Sequence, residues 1–311
     1  MSFSIIFPGQ GSQAVGMLAD LANEWTHVGE TFAEASEALG YDLWKLVQEG
    51  PAYDLNQTDR TQPAMLAAGI AAWRVWGAAG GAQPTHVAGH SLGEYTALVA
   101  SGALDFTSAI KLVEKRGQLM QAAVPAGQGA MAAILGLTDE EVIAACDYAA
   151  QGGVVQAVNF NAPGQVVVAG EAAAVERAVE QCKEAGAKRA LMLPVSVPSH
   201  CSLMQPAADQ LAEAMADIEI KSPEITVLHN VDVATHSDAD GIRKVLQQQL
   251  YSPVRWVETI QALKGAGAET VVECGPGKVL AGLNKRIDRG MSALPVFDSA
   301  SLQKALDALK A

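Results

Sequence analysis

Apolar runs of three to five residues that fit buried strands, Phe3-Ser4-Ile5-Ile6-Phe7, His86-Val87-Ala88 and Thr270-Val271-Val272-Glu273, alternate along the chain with longer stretches of helical period. That order predicts a parallel sheet wrapped by helices, because strands can lie parallel only if the chain crosses back over the sheet between them. Between about Gly127 and Pro198 the pattern changes. It predicts a strand at 130–136, a helix at 138–150, a strand at 154–159, a turn at Asn161-Ala162-Pro163-Gly164, a strand at 165–170, a helix at 171–185 and a strand at 188–195. The sequence β-α-β-β-α-β is a ferredoxin-like unit. Signals of the larger domain then resume, with a strand at 225–231 and helices near 240–250 and 278–289. The unit at 127–198 is therefore expected to be an insert, leaving a discontinuous core of 1–126 and 199–311. A cleft between two such bodies is a common place for a ligand.

Composition narrows the class. Half of the 311 residues are hydrophobic, enough for a large core, and the 29 glycines and 13 prolines follow no short period. The stretch from Pro63 to Ala82 is nearly free of charge, but Arg74 sits within it, so a buried helix is expected there and no membrane role. Met1 to Gly9 carries neither a basic n-region nor a small-residue cleavage site, which points to the cytoplasm. Cys146, Cys182, Cys201 and Cys274 are scattered without metal-ligand spacing, so free thiols in a reducing compartment and no metal site are expected. A net charge of −13 repels a phosphate backbone, which argues against nucleic acid as a partner.

The chemistry gathers at Gly89-His90-Ser91-Leu92-Gly93, a G-x-S-x-G pattern preceded by a short strand and followed by the helical run Glu94 to Ala100. In that context the pattern is a nucleophile elbow, and the core is of α/β-hydrolase-like class. A serine hydroxyl needs a base at neutral pH. Of six histidines, His200 is the best placed, where the chain leaves the insert, whereas His90 is expected to turn away from Ser91. The loop Gly9-Gln10-Gly11-Ser12-Gln13 follows the first strand and offers a second backbone N–H to join that of Leu92 in an oxyanion hole. Neither phosphate-binding glycine pattern is satisfied there. Arg116 shares a helical face with Leu112, Leu119 and Met120, so its guanidinium is expected to be buried and to require a carboxylate partner. An internal Asp or Glu and a substrate carboxylate are equally open as that partner.

These segments, with Gln62-Pro63-Ala64, Asn159-x-Asn161-x-Pro163, Pro198-Ser199-His200 and Gln249-Leu250-Tyr251-Ser252-Pro253-Val254, resemble the malonyl-CoA:acyl-carrier-protein transacylases of bacterial type II fatty acid synthesis, from Phe3 to beyond Arg286. The resemblance implies that Ser91 accepts malonyl from malonyl-CoA, that His200 is the base, and that Gln10 and Leu92 hold the oxyanion. It implies that Arg116 pairs with the malonyl carboxylate and that the Gln249 carbonyl orients His200 in place of a triad carboxylate. Gln62, Met120 and Asn161 match positions lining the acyl pocket of that family. No cofactor is required. The acceptor is then the phosphopantetheine thiol of holo acyl carrier protein, itself acidic, for which Lys188, Arg189, Lys285 and Arg286 are the expected docking patch. A monomer is expected. A serine hydrolase or thioesterase shares the elbow and base, and a non-catalytic carrier-binding module would share the fold. Arg116 argues against the first, and an intact Ser91 and His200 against the second.

Overall fold

The computed structural model describes residues 2–195 and 197–310. Its strands are β1 (Phe3–Phe7), β2 (His86–Gly89), β3 (Gly129–Leu135), β4 (Val155–Ala162), β5 (Gln165–Glu171), β6 (Arg189–Met192), β7 (Thr226–Leu228), β8 (Thr270–Cys274) and β9 (Ser292–Val296). Five of them form one sheet in the order β7-β2-β1-β8-β9, and every neighbouring pair is parallel. Helices cover both faces of such a sheet, so β1 and β8 are buried at every position and show no alternation. Phe7 lies beside Gly89 in the register of β1 and β2. The loops leaving those two strands therefore emerge together at the carboxyl edge of the sheet, the usual place for a ligand in such folds.

The other four strands form an antiparallel sheet, β4-β5-β3-β6. The helices Asp139–Ala150 and Ala172–Glu184 cover one face, where Val142, Val175 and Val179 pack on Ile134, Val166 and Val168. On the opposite face Met131, Val158, Val167 and Ala169 pack against Cys201, with Leu193 and Val195 beside them. This is the ferredoxin-like unit, mounted on the parallel-sheet body. The mounting includes main-chain hydrogen bonds: Val254 N–H donates to Val158 at 2.8 Å and Phe160 N–H to Val254 at 3.0 Å.

Several boundaries differ from the sequence expectation. The strand expected at 188–195 ends at Met192, just ahead of Pro194, whose ring nitrogen has no proton for a ladder bond. The strand expected at 154–159 runs on to Ala162 through two shifts of register, which shrinks the turn to Pro163-Gly164, with Gly164 at φ 69°. The strand expected at 225–231 is only Thr226–Leu228, since His229 and Asn230 leave the ladder to serve the elbow. The helix expected at 63–82 spans Thr58–Ala78, with Arg74 held by Glu34 at 2.8 Å. Among the described residues no helix is long and apolar enough to cross a membrane. All four cysteines are free and buried.

Candidate active site

Ser91 stands at the sharp turn between β2 and the helix Gly93–Ala100, with its backbone in the left-handed region at φ 52°. The flanking glycines are a steric requirement. A Cβ on Gly89 would lie 1.9 Å from the Gly93 carbonyl, and one on Gly93 would lie 2.1 Å from the Phe7 carbonyl oxygen. Asn230 staples the turn by accepting from the Ser91 N–H at 2.8 Å and donating to the Gly89 carbonyl at 2.7 Å. The hydroxyl that this turn presents lies 2.7 Å from His200 Nε2.

His200 also has a left-handed backbone, at φ 66°, and its N–H donates to the Leu250 carbonyl at 2.9 Å. Its Nδ1 lies 2.7 Å from the Gln249 carbonyl oxygen. A carbonyl oxygen can only accept, so Nδ1 carries the proton and Nε2 offers a lone pair to Ser91. Burial and then the nearby Arg116 charge depress the His200 pKa to about 3, only partly opposed by the hydrogen bond to Gln249. The ring is therefore a neutral base at neutral pH.

A cavity of about 370 Å³ opens over this pair, lined by Gln10, Leu92, Arg116, Met120 and, from the ferredoxin-like unit, Met131 and Val167. Among the described residues, neither the Gln10 nor the Leu92 main-chain N–H has an acceptor within the protein. Two free donors beside a serine are suited to an oxyanion.

Arg116 lies on the helix Phe106–Ala123 and is 1% exposed, with Leu112, Leu119 and Met120 buried on the same face. No carboxylate pairs with it among the described residues, contrary to one expectation. Its Nη1 donates to Gln62 Oε1 at 2.8 Å and one Nη2 proton to Gln249 Oε1 at 2.9 Å. Amide oxygens thus satisfy part of the fork without neutralising it. Nη2 also lies 3.3 Å from Ser91 Oγ, within reach of an acyl group carried there. Burial lowers the Arg116 pKa, but a guanidinium stays charged throughout the working range. A buried cation that lines a cavity, with no carboxylate paired to it among the described residues, favours an anionic ligand.

These features narrow the chemistry to acyl transfer onto a serine from a donor bearing a free acid, and comparison with known proteins agrees. Residues 4–299 match the acyl transferase domain. A Haemophilus influenzae protein named malonyl CoA-acyl carrier protein transacylase is 60% identical, over 96% of this chain and 96% of its own. The chain belongs to this transacylase family. A crystal structure of an acyl carrier protein S-malonyltransferase from Vibrio cholerae is 62% identical and superposes with a TM-score of 0.96, covering 98% of this chain and 100% of the other. A malonyl-transacylase solved in complex with its type II PKS acyl carrier protein is 57% identical, with a TM-score of 0.98 over 99% and 100% of the two chains.

Within the transacylase fold, two expected pocket residues stand behind the cavity wall. Gln62 is 1% exposed and holds Arg116 and the Met120 sulfur, the latter at 3.5 Å. Asn161 accepts from His90 Nε2 at 2.7 Å, on an extension of β4 that the turn expected there did not anticipate. The His90 ring lies 5.4 Å from that of Trp256 and is hydrogen-bonded to Asn161 and not to Ser91, though His90 also lines the cavity. Met120 does line the cavity. Lys188, Arg189 and Arg286 share a separate cleft of about 490 Å³ with Thr138 and Gly164, whereas Lys285 is exposed on the same helix as Arg286 but outside that lining. Sequence reasoning missed Glu94, His229, Asn230 and the Gln249 side chain. An acid in the otherwise uncharged run after the elbow, Glu94, was the one available signal.

Proposed function

We propose that the enzyme moves malonyl from malonyl-CoA to the phosphopantetheine thiol of holo acyl carrier protein through a malonyl ester on Ser91. The observation that carries this reading is the convergence on one hydroxyl: His200 Nε2 at 2.7 Å and Arg116 Nη2 at 3.3 Å. Ser91 Oγ attacks the thioester carbonyl carbon as its proton passes to His200 Nε2. The negative charge that develops on the carbonyl oxygen is held by the N–H groups of Gln10 and Leu92. Collapse breaks the carbon–sulfur bond, and the imidazolium returns the proton to the departing CoA sulfur. The second half reverses these steps: the carrier thiol gives its proton to His200, its sulfur attacks the ester, and Ser91 leaves with the proton restored. Thioester is exchanged for thioester, so no redox or metal chemistry is called for.

Arg116 supplies selectivity by pairing with the malonyl carboxylate, an interaction a simple acetyl group cannot make. Burial is the main cause of the depressed His200 pKa, but the second cause, the Arg116 charge, is offset in the same contact, so malonyl binding raises the basicity of His200 at the moment of use. Lys188, Arg189 and Arg286, with Lys285 beside them, form the docking patch for the acidic carrier, and their shared cleft supports that assignment. The proposed working form is a monomer in the cytoplasm, a reducing compartment that suits four free, buried thiols. Initial rates measured with malonyl-CoA and holo carrier protein varied together test the scheme. Parallel double-reciprocal lines are expected for the ester intermediate, and intersecting lines would overturn it.

A further inference from the structure

Glu94 is fully buried and lies two hydrogen bonds from Arg116 by way of Gln249, at the centre of the polar network under the elbow. Its Oε1 lies 2.6 Å from His229 Nδ1, and its Oε2 accepts from the Asn230 N–H at 3.1 Å and from Gln249 Nε2 at 2.8 Å. The other Gln249 amide proton goes to the Ser91 carbonyl at 2.9 Å. A carboxylate and a carbonyl can only accept, so together they fix which way the Gln249 amide faces. Its oxygen is forced toward Arg116 Nη2, 2.9 Å away.

We infer that Glu94 is a positioning residue for acyl-group selectivity, acting through the Gln249 side chain to aim the Arg116 guanidinium into the cavity. Gln249 thereby serves both sides of the site. Its main-chain carbonyl orients the base and its side-chain oxygen orients the cation, while Glu94 decides the polarity of that side chain. Against the burial that lowers the Arg116 pKa, Tyr95 and then Glu94 act to raise it, and among the described residues no carboxylate is in contact with the guanidinium. An amide between the two lets the acid steady the cation without quenching it. A carboxylate in direct contact would compete with the malonyl group for the same donors.

The role rests on Arg116 recognising the malonyl carboxylate, and the test separates the two. Single-turnover acylation of Ser91 is measured with malonyl-CoA and with acetyl-CoA, per folded molecule, for wild type, Glu94→Gln, Gln249→Met and Arg116→Ala. Glu94→Gln keeps the volume but lets the Gln249 amide turn, so the malonyl-to-acetyl ratio is expected to fall about tenfold, the scale of one hydrogen bond to a charged group. Gln249→Met keeps the carbonyl that orients His200 and is expected to lower the ratio similarly, which preserves the test if Glu94→Gln fails to fold. A purely structural Glu94 would lower the melting temperature and leave the ratio at the wild-type value, and that result overturns the inference. If Arg116→Ala alone collapses the ratio, only the role of Glu94 fails. If Arg116→Ala leaves the ratio unchanged, the carboxylate reading itself fails.

Discussion

Ser91 and His200 both hold left-handed backbone angles, φ 52° and 66°, a conformation that costs about 1–3 kcal/mol for a residue with a side chain. Main-chain and Asn230 hydrogen bonds hold both residues there, so the two reacting atoms meet without a conformational search. The depressed His200 pKa has a direct kinetic consequence. A base lost only on protonation near pH 3 stays active as the pH falls through the ordinary histidine value of about 6.5. The kcat/KM for malonyl-CoA is expected to stay level from about pH 8 to about pH 5. An acid limb near 6.5 would show that the free-enzyme base is not depressed. Ser91, His200 and Arg116 were legible because each stands in a pattern whose chemistry is local: glycines around a serine, a histidine at a domain junction, a cation on an apolar face. Glu94, His229 and Asn230 were not. Their contacts join residues 135 to 141 positions apart, and no periodicity encodes them.

At the scale of elements, the elbow depends on backbone crowding more than on hydrogen bonding. Gly89→Ala would drive a methyl group into the Gly93 main chain at 1.9 Å, and neither β2 nor the following helix can yield without disturbing β1. A loss of at least about 3 kcal/mol in urea unfolding is expected, as for severe overpacking. A loss below about 1 kcal/mol would mean that the turn is less crowded than the structure shows. The strand-turn-helix was legible because its glycines are spaced by the steric demand itself. The full length of β4 was not, since the register shifts that carry it past Asn159 depend on pairing with β5 and on the contact with Val254. The edge strand β9 was also unseen; Pro295 interrupts its sequence pattern and is tolerated because only one side of an edge strand must pair.

For the whole molecule, the loops leaving the parallel sheet carry Gln10, Ser91 and Leu92, the proposed oxyanion donors and nucleophile, while the ferredoxin-like sheet supplies apolar cavity wall through Met131 and Val167. The class of both sheets could be read from the order of strand and helix periods. How the two bodies meet could not, because that contact rests on main-chain bonds between Val158, Phe160 and Val254. With a net charge of −13, binding an acidic carrier requires a local reversal of field, for which the cleft lined by Lys188, Arg189 and Arg286, with the single acid Glu141, is the proposed place. Reversing these three charges and Lys285 to Glu is expected to raise the carrier-protein KM at least about tenfold at low salt, with the difference shrinking as salt is added. An unchanged KM would place the docking surface elsewhere. The central claim concerns the fate of the acyl group, and intact-protein mass spectrometry after brief mixing with malonyl-CoA reads it directly. One malonyl adduct is expected on the wild type and none on Ser91→Ala, with the adduct discharged by holo carrier protein and persisting in buffer. Absence of the adduct, or its loss to water as fast as to the carrier, would contradict transfer through Ser91.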